Sequence, residues 1–391
     1  WINDENRQHI VNLIQKHLKP GGIVYNSYNS ISGHAGFLPW RQMMWQHYQH
    51  QSGTALERID HTINHFNAMF ESNPSLLENN PALKAAWGRI QAADRHYLLH
   101  EYFNANWDCF SLSQVNELMQ TAKLQFVGTT TSNPYINHLA MDENRLAQVQ
   151  AQPNVLAAES WRDVLLGNTF RQDLYIKGGE ELNQAAILRR LQKQRFVCTV
   201  EASQFTNFLF NPQDNRQFNS DLFEPVKETL VAEAYAPKSF AQIQAAVGSK
   251  YTWQHILQVL LLKINAGHLQ PCVDEDTAQT RQQCHDLNAA ILGKLDDKIA
   301  GVYVASPVTG MGLTLEFIYS WCLRTWLQQP EATQNDIAEN IWQCLQVHGR
   351  ALVDEEGKSL NVREEHFGFL AKKLADVSSL RQLWQTLNLL P

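Results

Sequence analysis

The stretch Lys19-Pro20-Gly21-Gly22-Ile23-Val24-Tyr25-Asn26-Ser27-Tyr28-Asn29 limits what this chain can fold into more than any other. Ahead of it, Asn3 or Asp4 can cap a helix in which Ile10, Leu13, Ile14 and Leu18 recur at helical spacing. Behind the Pro-Gly-Gly break, the apolar run Ile23 to Tyr25 passes into the polar Asn26 to Asn29. Helix, tight glycine turn and buried strand in that order predict one αβ step of a parallel sheet. Ligands of open α/β sheets sit outside the carboxyl ends of the strands, so Ser27-Tyr28-Asn29 is expected to face a site. A parallel strand needs neighbours to bury both its faces. A chain opening at this helix is therefore expected to be the C-terminal part of a longer protein.

A length of 391 residues predicts two or three domains. With 44% hydrophobic and 18% charged residues, including 11 Trp and 17 Phe, the chain has the composition of a globular protein. A net charge of −7 with dispersed acids argues against a nucleic-acid partner. No apolar run approaches the roughly 18 residues that span a bilayer, and no basic and apolar signal segment opens the chain. Cysteines 109, 198, 272, 284, 322 and 344 form no C-x-x-C or metal spacing. They read as free thiols of a reducing, cytoplasmic compartment, with no metal site.

The passage of a helix, Leu18-Lys19-Pro20-Gly21-Gly22 and a strand resembles the second half of a class I S-adenosylmethionine-dependent methyltransferase domain. Its continuation through Ser27-Tyr28-Asn29, Gly33 and a helix carrying Arg41 to Met44 is similar to the bacterial methyltransferases with an appended methyltransferase regulatory domain. That subgroup includes the rickettsial outer-membrane protein-lysine methyltransferases. Its usual tract is Ser-Tyr-Asn, two residues, then Pro-Gly-Trp, whereas here Ser30-Ile31-Ser32-Gly33-His34 lacks the Pro and the Trp.

Residues 36–98 read as a helical insertion, a substrate lid in position. Thr54-x-x-Glu57 is a capping box before Leu56, Ile59, Ile63, Phe66 and Phe70, and a further helix is expected from about Pro81 to Tyr97. His100-Glu101-Tyr102 and Phe110-Ser111-Leu112-Ser113 match words of the same subgroup, as do the capped helix bearing Val115, Leu118 and Met119 and the strand from Leu124. The methyltransferase part is expected to close at residue 135, with a boundary at Ser132-Asn133-Pro134. Residues 136–220 form the expected regulatory domain, from the resemblance of 159–174 to its signature. Within it Arg171 either anchors an acidic group or ties a loop to a neighbouring helix.

Residues 221–391 are expected to contain a winged helix at 222–273, with Pro225 in a first turn and a third helix capped by Thr252. Only Lys250 and Lys263 are basic there, which favours protein contact over DNA reading. An extended piece follows at Val302 to Val308. Gly310-x-Gly312 is read as a capped turn before a helix from Leu315 to Leu327, because a nucleotide loop needs a third glycine and a βαβ context. The expected fold class is thus α/β, an incomplete Rossmann-like methyltransferase sheet followed by mostly α-helical regulatory and winged-helix domains.

Methyl transfer from a sulfonium to an amine needs in-line positioning and a deprotonated nucleophile. The resemblance implies a protein-lysine acceptor and S-adenosylmethionine as cofactor. Tyr28 and Asn29, at the strand's end, are the candidate catalytic pair, offering a hydroxyl and an amide carbonyl to an amine. His100 and Glu101 are candidates for substrate binding as base and acceptor, and Trp1 as a lining residue. Each has a structural alternative: Tyr28 filling a sheet edge, Asn29 opening a turn, His100 and Glu101 forming a surface pair. The cofactor-binding residues are expected upstream of residue 1, so the chain alone is expected not to bind S-adenosylmethionine. The competing reading is a non-enzymatic helical and winged-helix interaction module. A transcription regulator would need a basic stripe, which the sequence lacks.

Overall fold

The computed structural model describes residues 1–130, 139, 141–209, 216–295, 301–354, 356–374 and 377–391, so the expected boundary at Ser132-Asn133-Pro134 lies outside the described residues. The chain is mixed α/β, mainly helical with small antiparallel sheets, and divides into two units, Trp1–Glu181 and Leu182–Pro391. No helix among the described residues is long and apolar enough to cross a membrane.

In the first unit Asn3 caps the helix Asp4–His17, accepting from the Asn6 amide. At the other end Lys177 Nζ donates to the carbonyls of Gln15 and Leu18, placing a cation on the negative end of the helix. Gly21 sits at φ +77°, in the left-handed region that a side chain disfavours, and its amide donates to the Lys177 carbonyl. The turn thus hands the chain directly into a sheet of β1 (Ile23–Asn29), β2 (Leu124–Thr129) and β3 (Phe170–Lys177).

The sheet order is β1-β3-β2, and both pairings are antiparallel. β1 and β2 therefore run parallel to each other with β3 between them, which corrects the expectation of a directly paired parallel sheet. β3 falls in 159–174 and just beyond, a tract read from sequence as a regulatory signature. Because it is the middle strand, the first unit continues to Glu181, past the expected close at 135.

Two burial expectations are also corrected. The opening helix buries Val11 rather than Ile10 and Leu13, which are 44% and 62% exposed. Val11 packs with Tyr28, Val115, Met119, Leu124 and Tyr175. β1 is an edge strand, and its outward residues Ile23 and Tyr25 are 63% and 54% exposed.

The helical insertion forms its own core around Ile59, Phe66, Phe70, Trp87 and Ile90, and the Thr54–Glu57 capping box is present. The single helix expected from Pro81 to Tyr97 is two, Pro81–Ala92 and Arg95–Glu101. Asp94 restarts the chain by accepting from the amides of His96 and Tyr97. The His47 and His65 rings stack at 4.3 Å. Burial first, then the charges of His65, His50 and His61, lower the pKa of His47. The folded form thus binds fewer protons than the unfolded one below the usual histidine value near 6.5. Stability held above that value is expected to fall as the pH drops through it; His47→Gln, compared with wild type by urea melts at pH 7.5 and 5.5, should flatten the dependence.

In the second unit the three helices Ser220–Tyr235, Phe240–Val247 and Trp253–Asn265 occur in the expected order, followed by the strand Leu269–Pro271. The middle strand of their sheet is Arg195–Cys198, supplied from upstream, with Lys238–Ser239 on its other side. Asn219 caps the first helix, so Pro225 lies inside it rather than in its first turn. Lys263 is fully buried, donates to the Phe208 carbonyl at 2.7 Å and faces the rings of Phe205, Phe218 and Phe223; desolvation pulls its pKa down to about 8. Lys250 pairs with Asp221. Val302–Ser306 and Met311–Leu315 form a hairpin, so Gly310 (φ +63°) makes a strand-to-strand turn and the helix begins only at Phe317. All six cysteines are free thiols.

Candidate functional site

β1 and β2 point their carboxyl ends the same way, toward Asn29 and Thr129, and the helix Val155–Leu166 with the loop 167–169 closes over that end. Gly33 makes the closure tight. Its amide donates to the Asn168 carbonyl at 2.9 Å, and the Ser30 amide donates to the Thr169 carbonyl at the same distance.

Beneath this mouth lies a buried ionic cluster. Register places Tyr28 opposite Arg171 and Asn26 opposite Asp173. The Arg171 guanidinium, 1% exposed, donates to Asp173 through Nε and Nη2 at 2.9–3.1 Å and to Asp163 through Nη1 at 2.6 Å. Glu159 lies 3.4 Å from Arg171 and, through its other oxygen, 3.4 Å from Arg162. Burial alone would lower the pKa of Arg171, but hydrogen bonds and charge from Asp173 and Asp163 outweigh it and hold the value above the ordinary one. Tyr28 Oη donates to Asp173 Oδ2 at 2.6 Å. Desolvation first, then the Asp173 charge, raise the phenol's pKa, so this hydroxyl stays protonated.

A cavity of about 260 Å³ opens above the cluster, lined by Thr129, Glu159, Arg162, Asp163, Leu166 and Thr169. Tyr28→Phe is expected to leave one Asp173 oxygen short of a donor and to cost about 1–3 kcal/mol in urea unfolding.

The sequence candidates fall into two neighbouring groups. Tyr28 is 8% exposed, with its hydroxyl engaged by Asp173, and half-buried Asn29 stands at the strand's end. The Asn29 carbonyl accepts from the Phe110 amide. The Trp1 ring lies against that of His100, tilted by 35° with centroids 5.0 Å apart, and Glu101 follows, half-buried, its carboxyl pushed up by desolvation. The segment from Trp107 to Phe110 joins the two groups: Arg7 lies over the Phe110 ring and 3.9 Å from Asp108. Arg171 bonds acidic side chains of this chain and ties a strand, where a loop was expected, to the helix Val155–Leu166. The roles of Asp163, Asp173 and Arg162 were missed. For Asp173 the sequence signal was the alternation in β3, which places Arg171, Asp173 and Tyr175 on one face; Arg162 and Asp163 lie on the helix Val155–Leu166.

The Gly21–Gly22 turn lies at the amino end of β1, opposite the mouth, and so cannot serve as a ligand loop there. Among the described residues no glycine-rich turn leads from a strand into a helix, and no group of three or more His, Cys, Asp or Glu could hold a metal ion.

Residues 94–177, from the cap of Arg95–Glu101 to the end of β3, match a family described as predicted methyltransferase regulatory domain. The whole of this chain also superposes on 79% of the structure of PKMT2 from Rickettsia typhi in complex with AdoHcy. The TM-score is 0.62 and the identity 17%. A second structure of that protein gives 0.60 over 78% of its length, at 16% identity. The likeness shows a shared fold. In sequence, the chain is 28% identical over 374 residues to the uncharacterized protein sll1526 of Synechocystis sp., covering 95% of this chain and 72% of that protein.

Proposed function

We propose that this chain is the acceptor-side portion of an S-adenosylmethionine-dependent methyltransferase acting on protein lysine. The observation that carries the proposal is the open side of the sheet. β1 has a free edge, and the face bearing Ile23, Tyr25, Val127 and Phe170 is uncovered, with those residues 38–63% exposed. An antiparallel sheet can leave one face in water; on this reading the free edge and the uncovered face receive the strands and helices that carry the cofactor. Further support comes from the 94–177 match and from the fold shared with a structure that holds AdoHcy.

On this reading the cofactor supplies the methyl group, and the residues of this chain bind and orient the acceptor. The ionic cluster ties β1 and β3 to the helix Val155–Leu166. Asn29 offers an amide carbonyl to the incoming amine, and Trp1, His100 and Glu101 line its approach. The insertion of 36–98 acts as the lid. The helices of 220–265 form a winged-helix-like module for protein contact.

Calorimetry and a methyl-transfer assay read by mass spectrometry test the proposal. Residues 1–391 alone should show no saturable S-adenosylmethionine binding, whereas the complete product of the gene should bind it and methylate lysines of a protein acceptor. Low-micromolar binding by residues 1–391 would overturn the placement of the cofactor. Cofactor binding by the complete product with methyl groups on residues other than lysine would overturn the acceptor class, and the absence of both binding and transfer would overturn the enzyme.

A further inference from the structure

Arg162 lines the cavity of about 260 Å³ at the strand ends, and its hydrogen-bonding capacity is unmet. We propose that this cavity is a binding site for a neutral amide, whose carbonyl oxygen Arg162 takes as its acceptor.

A guanidinium carries five N–H donors, and this residue is only 6% exposed. Its Nε and Nη2 are buried and have no hydrogen-bond partner. Glu159 Oε1 lies 3.4 Å from Nε, an ion pair that is not also a hydrogen bond. The neighbouring groups differ. Arg171 bonds Asp173 and Asp163, Asn168 Nδ2 donates to Asp163 Oδ1 at 3.0 Å, and Thr129 Oγ1 donates to the Gln172 carbonyl at 3.0 Å. The two arginines respond to burial in opposite ways. Bonds to carboxylates hold the pKa of Arg171 up, whereas burial is the largest effect on Arg162 and pulls its pKa down. Buried donors without acceptors are costly. With Nε and Nη2 unbonded, the guanidinium can turn them onto a ligand in the cavity it lines. The cavity has many times the room that one water takes.

Charge decides the class of the ligand. Within the lining, Glu159 and Asp163 match Arg162 and Arg171, and fully buried Asp173, bonded to Arg171, adds one further negative charge. An anion would add to that excess in a dry interior. A cation would meet the guanidinium and has no lone pair to offer its N–H groups. An amide brings a carbonyl acceptor without charge. Its own N–H has an acceptor in Asp163, both of whose printed bonds, from Arg171 and Asn168, fall on Oδ1.

NMR titration of the protein carrying isotope-labelled arginine tests the site. The probes are butanamide, Nα-acetyl-glycine methylamide and Nα-acetyl-glutamine methylamide, with butanoate and butylammonium as the anionic and cationic counterparts. At least one amide should saturate at millimolar concentration, shift the Arg162 Nε–H resonance, and bind at least about tenfold more tightly than either ion. Tightest binding by butanamide assigns the site to a small carboxamide, and by the glutamine derivative to a polypeptide side chain. Equal binding of the glycine and glutamine derivatives, both above butanamide, assigns it to a peptide backbone. Arg162→Met should weaken the amide by about tenfold or more. If that variant does not fold, Arg162→Lys, which keeps the charge beside Glu159 but loses the planar fork of donors, should weaken it by about threefold. Binding of either ion as tight as that of the amides, unchanged affinity in the folded variant, or no saturation by any amide would each overturn the site. Every readout is binding, so the result is separable from that of the methyl-transfer assay.

Discussion

Arg171→Met is expected to destabilise the first unit by about 3–5 kcal/mol, the range found when one partner of a buried ion pair is removed. The residue is 1% exposed and holds Asp173 and Asp163 at hydrogen-bonding distance, with Glu159 a little farther off. Methionine fills most of the volume, so the loss is electrostatic, from carboxylates left in a dry interior without their cation. Urea unfolding followed by near-UV circular dichroism should show the midpoint shift. The control is the double variant Arg171→Met with Asp173→Asn, which removes the stranded charge and should recover part of the loss. An Arg171→Met midpoint within error of wild type would show that the cluster is not what joins β3 to the helix Val155–Leu166.

The second large effect is expected at Gly33. A Cβ built there meets the Gly167 carbonyl oxygen at 2.5 Å and the Asn168 backbone at 2.6 Å, closer than real Cβ contacts come. Backbone on both sides leaves no flexible side chain to yield, so Gly33→Ala must move the loop 167–169 away from Ser30 and Gly33. Overpacking of this kind costs about 1–3 kcal/mol, occasionally more. Because the displaced loop forms the wall of the cavity at the strand ends, the proposed methyl transfer should fall along with stability. Gly36→Ala is the comparison. Its Cβ would approach Ala82 and the Asn80 side chain no closer than 3.2 Å, so a smaller change is expected.

Local signals in the chain identified the elements that local chemistry fixes. Asn3, Thr54 with Glu57, and Thr252 each cap a helix where the sequence placed one. The turn at Pro20-Gly21-Gly22 does pass from helix to strand. Asp94 was passed over, so two helices were merged, because its capping role depends on the chain bending at Ala93 rather than on composition.

The burial of β3 ran against pattern. Phe170, Leu174 and Ile176 would by hydrophobicity face inward, yet the inward residues are Arg171, Asp173 and Tyr175. An apolar count cannot detect an inward face whose polar groups satisfy one another. Of the candidate site, Tyr28 and Asn29 were legible as the end of a strand. The partners that occupy Tyr28 lie 145 residues away in the chain, beyond any local window.

By itself the sequence determined the helix starts at Asn3, Thr54 and Thr252 and that a strand follows the Gly-Gly turn, because caps, glycine turns and helical periodicity act over a few neighbouring residues. Only the tertiary structure decided that β3 lies between β1 and β2, that β1 keeps a free edge, and that Arg171 is neutralised within the fold. Strand order and charge pairing are settled by contacts between segments far apart in the chain, where the free energy of burying an ion depends on which partners the fold brings to it.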